Sequence, residues 1–152
     1  MPWQYNRHLQ AMQWLAEATE LNEGYDTSKN AFIPRGRIVN VKFGENIGFE
    51  KNSKRPAVVV SVDSSNQTSG NVIVAPLTTK SRKTASKRPF RLLKSQYLLK
   101  QEKYEGLAFD SIVQCEDIRS ISKARLEDLL DTVDEEDMQQ IDRRLSYMLD
   151  LK

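Results

Sequence analysis

One cysteine and one histidine, Cys115 and His8, stand in a chain of 152 residues. A lone cysteine excludes an internal disulfide and suits a reducing compartment, so a cytoplasmic location is expected. One of each also leaves no Cys/His ligand set, and neither a metal site nor a cofactor is expected. A histidine acid-base pair is impossible within one chain, and His8, set in a helix-forming stretch, reads as a surface or packing residue. No apolar run approaches the roughly 20 residues of a membrane span, and the first residues lack the apolar core of a signal peptide, so no membrane contact is expected. Net charge is small too: 23 Lys and Arg against 21 Asp and Glu leave +2, which by itself implies no partner.

What charge there is lies in blocks. Residues 80–94 carry Lys80, Arg82, Lys83, Lys87, Arg88, Arg91 and Lys94 with no acid, while residues 127–142 carry eight acids and no base. Such asymmetry in a small chain suggests a local anion site, the plainer alternative for the basic segment being a solvated loop.

The chain divides into a helical extension over residues 1–22, a linker over 23–34 and one domain over 35–152. The extension is rich in helix formers and has two apolar stripes, one of Ala11, Trp14, Leu15, Ala18 and Leu21, the other of Tyr5, Leu9, Met12 and Ala16. A face that broad needs a cover, either its own domain or a partner or second subunit. Gly24, the Asp26–Asn30 cluster and Pro34 break regular structure.

Within the domain, Arg37 to Phe43 alternates as a strand with one packed face, a loop runs from Gly44 to Lys54, and Ala57 to Val62 is apolar enough to be a central strand. Asp63 to Asn66 and Ser69 to Asn71 are turn chemistry, and Val72 to Ala75 returns. Phe90 to Leu93 reads as a short strand, Ser95 to Glu105 as helical, Ser111 to Cys115 as β and Lys123 to Leu130 as a short helix. Thr132 and Glu135 fit a capping box opening a last helix whose stripe is Met138, Ile141, Leu145 and Met148. Strands first and helices last predict an α+β domain, mostly β, built as a small antiparallel barrel or sandwich with helices at its edge.

Arg55 stands at the mouth of the central strand, and Thr78 follows Pro76 at the end of the returning one. If the two strands are neighbours, both side chains share one polar pocket. A guanidinium fork beside a hydroxyl suits a phosphodiester; the plainer readings are a surface ion pair and a turn hydroxyl.

The order Arg35-Gly36, a strand, Phe43-Gly44, Ile47-Gly48, Glu50, Arg55-Pro56, an apolar strand, Asn66, Ser69-Gly70, a strand and Pro76-Leu77-Thr78 resembles the MazF/PemK family of toxin ribonucleases from toxin-antitoxin pairs. Asp110 to Leu126 is similar to that family's last core strand and the turn into its helix. The resemblance covers about residues 35–148 and leaves the N-terminal helix outside. It implies an SH3-like barrel of the MazF/PemK/CcdB kind with a C-terminal helix, here with an added N-terminal one. It also implies metal-independent cleavage of single-stranded RNA, in which the 2′-hydroxyl attacks phosphorus and leaves a 2′,3′-cyclic phosphate and a 5′-hydroxyl. A homodimer and a cognate antitoxin with an acidic tail are the implied partners. Arg55 and Thr78 would then stabilise the phosphorane, with Glu50 and Glu116 the candidates for general base. Lys51 and Lys54, which replace a glycine-rich loop in other members, would strengthen the pull on phosphate, and Lys80, Arg82 and Lys83 would hold flanking phosphates. Phe49 or Tyr97 would stack a splayed base, and Gln114 stands where some members carry a basic substrate contact. A non-catalytic RNA-binding or gyrase-inhibiting module on the same fold is the alternative.

Overall fold

The computed structural model describes residues 2–26, 30–80 and 91–152, with side chains from Tyr5 onward. Its centre is a seven-stranded antiparallel sheet in the order β4-β5-β3-β2-β1-β7, with β6 also paired to β3. The strands are β1 (Arg37–Lys42), β2 (Lys54–Val59), β3 (Asn71–Thr79), β4 (Gln96–Leu99), β5 (Ser111–Gln114), β6 (Arg119–Ser122) and β7 (Leu126–Thr132). The β-branched run after Pro56 makes β2 central, as its composition demands. It pairs with β1 on one side, Ile38 opposite Val58, and with β3 on the other, Val58 opposite Ala75. The long β3 is lined along its other edge first by β6, Val74 opposite Arg119, and then by β5, Leu77 opposite Val113. β5 and β6 are thus two halves of one strand, broken by a 3-10 turn over Cys115–Asp117.

Strand alternation sends side chains into two cores. Val39, Val41, Phe43, Ala57, Val59, Val72, Val74 and Ile121 fill one face. Ile38, Val58, Ala75, Leu77, Leu99 and Val113 fill the other, capped by Met138 and Ile141 of the last helix, α3 (Glu135–Met148). Along the expected α3 stripe Met138 and Ile141 are buried, Leu145 is partly buried and Met148 is exposed.

The α+β class is as expected, but the sheet stays open, with β4 and β7 at the ends of its path. Five local expectations are corrected. Lys123 to Leu130 is not a helix: a 3-10 turn over Lys123–Arg125 leads into β7, because pairing with β1 overrides the helix propensity of the segment. Within Ser95 to Glu105, Gln96–Leu99 is β4, held on β5. Arg91 to Leu93 lie in no strand, Phe90 being outside the described residues. The cap of α3 is Asp134, whose carboxylate accepts from the Asp137 amide at 2.9 Å, while Thr132 ends β7 and accepts from Arg37. The turn expected at Asp63 is a short helix, α2 (Asp63–Thr68), closed by Asn66 Nδ2 donating to the Ser61 carbonyl at 2.9 Å.

The extension is α1 (Pro2–Gly24). Trp14, Glu17, Ala18 and Leu21 face the domain, whereas Tyr5, Leu9, Met12 and Leu15 are exposed. Pro34 and Gly36 then lead into β1, and Arg35 is paired with Asp142 of α3.

One polar cluster ties α3 to the sheet. Asp137, 8% exposed, accepts from Tyr97 Oη at 2.5 Å, Tyr104 Oη at 2.5 Å and Lys103 Nζ at 2.8 Å. Burial works to raise the Asp137 carboxyl, but the bonds from Lys103, Tyr104 and Tyr97 outweigh it and hold the group below its ordinary value. Burial, then the bond to Asp137, pushes Tyr97 up to about 12. Unfolded chains bind the Asp137 proton first as acid is added, so the stabilisation is present above the ordinary value of about 4 and lost as pH falls through the depressed native one. The neutral Tyr97 phenol acts oppositely: its stabilisation is present below about pH 10 and lost as pH rises through its native value. Asp137→Asn is therefore expected to cost about 2 kcal/mol in urea denaturation at pH 7 and to flatten the acid limb of the stability profile. Equal acid limbs in the two proteins would contradict this role.

Candidate active site

The β2–β3 register sets the two residues of the expected pocket at the same end of adjacent strands. Ala57 stands opposite Pro76 at the end of the paired register, and Arg55 and Thr78 lie two residues beyond that pair on their strands. Alternation places both on the face of Val59 and Val74. Across the other edge of β2, Arg55 is opposite Val41. Both side chains are half-buried, at the point where the apolar face gives way to solvent. The Arg55 Nε donates to the Asn52 carbonyl at 3.0 Å, which helps to fix the plane of the guanidinium.

The loop between β1 and β2 is shaped by its own polar groups. Asn46 Nδ2 donates to the carbonyls of Phe43 and Lys51 at 2.9 and 2.7 Å, and the Asn46 amide donates to Asn52 Oδ1 at 2.7 Å. Gly44, Gly48 and Ser53 take positive φ values of 76°, 60° and 65°, which let the loop turn back within ten residues. Glu50 closes a tight turn, its Oε2 accepting from the Ile47 amide at 3.0 Å. Phe49 points wholly into solvent beside exposed Ile47.

A cleft of about 350 Å³ runs between this loop and the break in the β5/β6 strand. Phe43, Glu50, Lys51, Glu116, Asp117, Ile118 and Arg119 line it. The cleft unites both expected carboxylates with Lys51, which pairs with Asp117 at 3.3 Å. Glu116 is held rigidly: its Oε2 accepts from Ser95 Oγ at 2.8 Å and its Oε1 from Gln96 Nε2 at 2.6 Å. Among the described residues Glu50 has only its Oε2 engaged. Arg119, opposite Val74 on β6, lies on the same sheet face as Arg55 and adds a cation that the sequence reading passed over. Its signal was the string Glu116-Asp117-Ile118-Arg119, whose meaning depends on the strand break.

Other expected contacts lie elsewhere. Lys54 projects to the opposite face from Arg55 and pairs with Glu127, as does Lys42 at 3.3 Å. Hydrogen bonding to Glu127, partly offset by desolvation, raises the Lys54 ammonium above its ordinary value. Gln114 is 1% exposed, so it presents no surface to a substrate. It was expected at the site because some family members carry a basic residue at that position, but every residue of β5 is buried. Tyr97, the other stacking candidate, is committed to Asp137. Lys80 follows β3, its amide donating to the Asp110 carbonyl at 2.9 Å, and Arg82 and Lys83 lie outside the described residues. His8 is exposed on α1. Burial pushes the Cys115 thiol up to about 12, so it is no nucleophile at neutral pH.

An arginine and a threonine thus share one sheet face with a cleft lined by carboxylates and cations. The sequence profile of the PemK-like, MazF-like toxins of type II toxin-antitoxin systems matches residues 34–149, and the chain belongs to that family. It is 36% identical over 122 residues to Endoribonuclease MazF9 of Mycobacterium tuberculosis, covering 77% of this chain and 96% of that protein. Endoribonuclease EndoA of Bacillus subtilis is 29% identical over 119 residues, covering 78% and 96%. The fold is that of MazF from Deinococcus radiodurans, with a TM-score of 0.63 at 19% identity over 79% of this chain and 98% of that one. It is also similar to a mycobacterial endoribonuclease solved with its cognate antitoxin, with a TM-score of 0.57 at 20% identity over 79% and 97%.

Loop order is the structural premise of the site. Asn46→Ala removes two donated bonds and is expected to speed amide exchange across residues 44–53 at least about tenfold while lowering global stability by no more than about 1 kcal/mol. Unchanged exchange in that segment would mean that the loop is held by other contacts.

Proposed function

We propose that this chain is a toxin endoribonuclease that cuts single-stranded RNA without a metal, through attack of the 2′-hydroxyl on the adjacent phosphorus. The observation that carries the reading is the β2–β3 register, which sets Arg55 and Thr78 just beyond the Ala57–Pro76 pair on one sheet face, the face that also carries Phe43 and Arg119 of the Glu50/Glu116 cleft. In the pentacoordinate transition state the non-bridging oxygens gain charge. The Arg55 guanidinium, oriented through Nε, donates to them from its terminal nitrogens, and the Thr78 hydroxyl adds a donor from the neighbouring strand. Donors held by a backbone ladder need no reorganisation as that charge develops.

Of the two carboxylates, Glu50 is the better placed to meet the 2′-hydroxyl proton or the substrate itself, because Glu116 has both oxygens committed to Ser95 and Gln96. Glu116 then shapes the cleft from below. Lys51 and Arg119 supply non-specific hold on flanking phosphates, to which the charges of Lys80, Arg82 and Lys83 would add, and exposed Phe49 offers a stacking surface to an unpaired base. Products would be a 2′,3′-cyclic phosphate and a 5′-hydroxyl. The relatives' naming as endoribonucleases and the solved complex of one with its antitoxin support an RNA substrate and an antitoxin partner for this chain too. A homodimer acting in the cytoplasm completes the proposal.

Purified protein incubated with a long mixed RNA in EDTA is expected to yield discrete fragments with cyclic phosphate ends. Arg55→Ala should slow single-turnover cleavage about a hundredfold, as loss of one preorganised donor does. Intact RNA with the wild type, or an undiminished rate in the variant, would refute the reading. Lys51→Ala is expected to weaken RNA binding at low salt severalfold, whereas Lys54→Ala, on the far face, changes it less than about twofold. Anisotropy titrations with a labelled oligonucleotide decide between them, and equal losses would remove the distinction.

A further inference from the structure

The helix outside the family match is wired to the arginine of the site. On α1, Trp14 lies flat against Gly44: a Cβ at Gly44 would stand 2.1 Å from Trp14 Cε2, so only glycine admits the ring there. The ring is also gripped by Arg125, whose guanidinium carbon is 5.3 Å from the ring centroid. The same guanidinium donates from one nitrogen to the carbonyls of Lys42 and Phe43, both at 3.0 Å, the two residues leading into Gly44. Glu17, one turn along α1, pairs with Lys42 at 2.6 Å. Three contacts of α1 and its docking site therefore converge on residues 42–44, the first stem of the β1–β2 loop.

From that stem the connection to Arg55 is all hydrogen bonds. The Ser53 amide donates to the Gly44 carbonyl at 2.8 Å and the Phe43 amide to the Ser53 carbonyl at 3.0 Å. Asn52, the next residue back, gives the carbonyl that receives Arg55 Nε. No residue of α1 lines the cleft between Glu50 and Glu116, so the helix leaves the cleft uncovered. It bears instead on the part of the loop that aims Arg55.

We propose that Trp14 is a positioning residue for Arg55, acting through the Gly44–Ser53 stem, so that the added N-terminal helix sets how well the site stabilises its transition state. The inference rests on Arg55 holding the scissile phosphate. A misplaced donor lowers the chemical step while substrate still binds through Lys51 and Arg119. Trp14→Ala should accordingly reduce kcat about tenfold with KM within about twofold, at a temperature where the variant is folded by circular dichroism. Trp14→Phe, which keeps a ring between Gly44 and Arg125, should recover most of that loss. In single-turnover assays with Arg55→Ala as background, Trp14→Ala should slow cleavage by less than about twofold, because the two residues act as one unit. A tenfold loss in that background too, or an unchanged kcat in the single variant, would overturn the proposal. Hydrogen exchange separates its failure from that of the nuclease reading. If wild type leaves RNA intact, the nuclease reading falls alone, and exchange at the Phe43 and Ser53 amides decides this one. Acceleration of both by about tenfold or more in Trp14→Ala supports the coupling, and unchanged protection refutes it.

Discussion

The antiparallel ladder between β2 and β3 is the constraint on which the rest depends. With Val58 held opposite Ala75 by backbone hydrogen bonds, the positions of Arg55 and Thr78 on their strands follow from strand geometry. A slip of one residue would turn Arg55 to the face of Lys54, where Glu127 already collects two lysines. The apolar run of β2, buried on both faces, makes such a slip expensive: Val58 would exchange cores with Ala57 and Val59. A polar site is thereby given its precision by groups that carry no chemistry.

Two charge systems are kept apart by the same alternation. On one face Lys51 and Arg119 line an open cleft with the two glutamates and Asp117, and Arg55 lies on the same sheet face. On the other, Lys42 and Lys54 are taken up by Glu17 and Glu127 and serve the docking of α1. Exposed pairs of this second kind contribute little stability singly, but here they register a helix that owes its seat mainly to Trp14 on Gly44. The loop between β1 and β2 joins the two systems, since its stems belong to one and its tip to the other.

The break in the β5/β6 strand has a comparable role at the opposite wall of the cleft. Unbroken, the strand would bury Glu116 and Arg119 by turns along β3; the 3-10 turn over Cys115–Asp117 instead delivers Glu116, Asp117 and Arg119 to one rim. The inward partner of that rim is Cys115, buried below it. Ser95 and Gln96, at the entry of β4, reach across to hold Glu116, so the edge strand serves the site as well as the sheet.

From the sequence alone, β1, β2 and β3 were legible because each has a period or an apolar run that only a strand can bury, and α3 because its stripe and acidic first turn agree. That the strands carrying Arg55 and Thr78 are neighbours was legible through the proline and polar residues that end those runs. β4 and β7 were not: Tyr97 to Leu99 and Leu126 to Leu130 are good helix formers, and their strand state is imposed by neighbours distant in the chain, β5 and β1. Lys54 and Gln114 misled for a related reason, since which side of a strand a residue takes is set by pairing and not by its chemistry. By itself the sequence determined the kinds of element and the reactive groups, because periodicity and side-chain chemistry are local. Only the tertiary structure decided which groups meet, bringing Arg119 to the cleft, taking Lys54 from it and laying Trp14 against Gly44, because register and docking are settled by contacts between segments far apart in the chain.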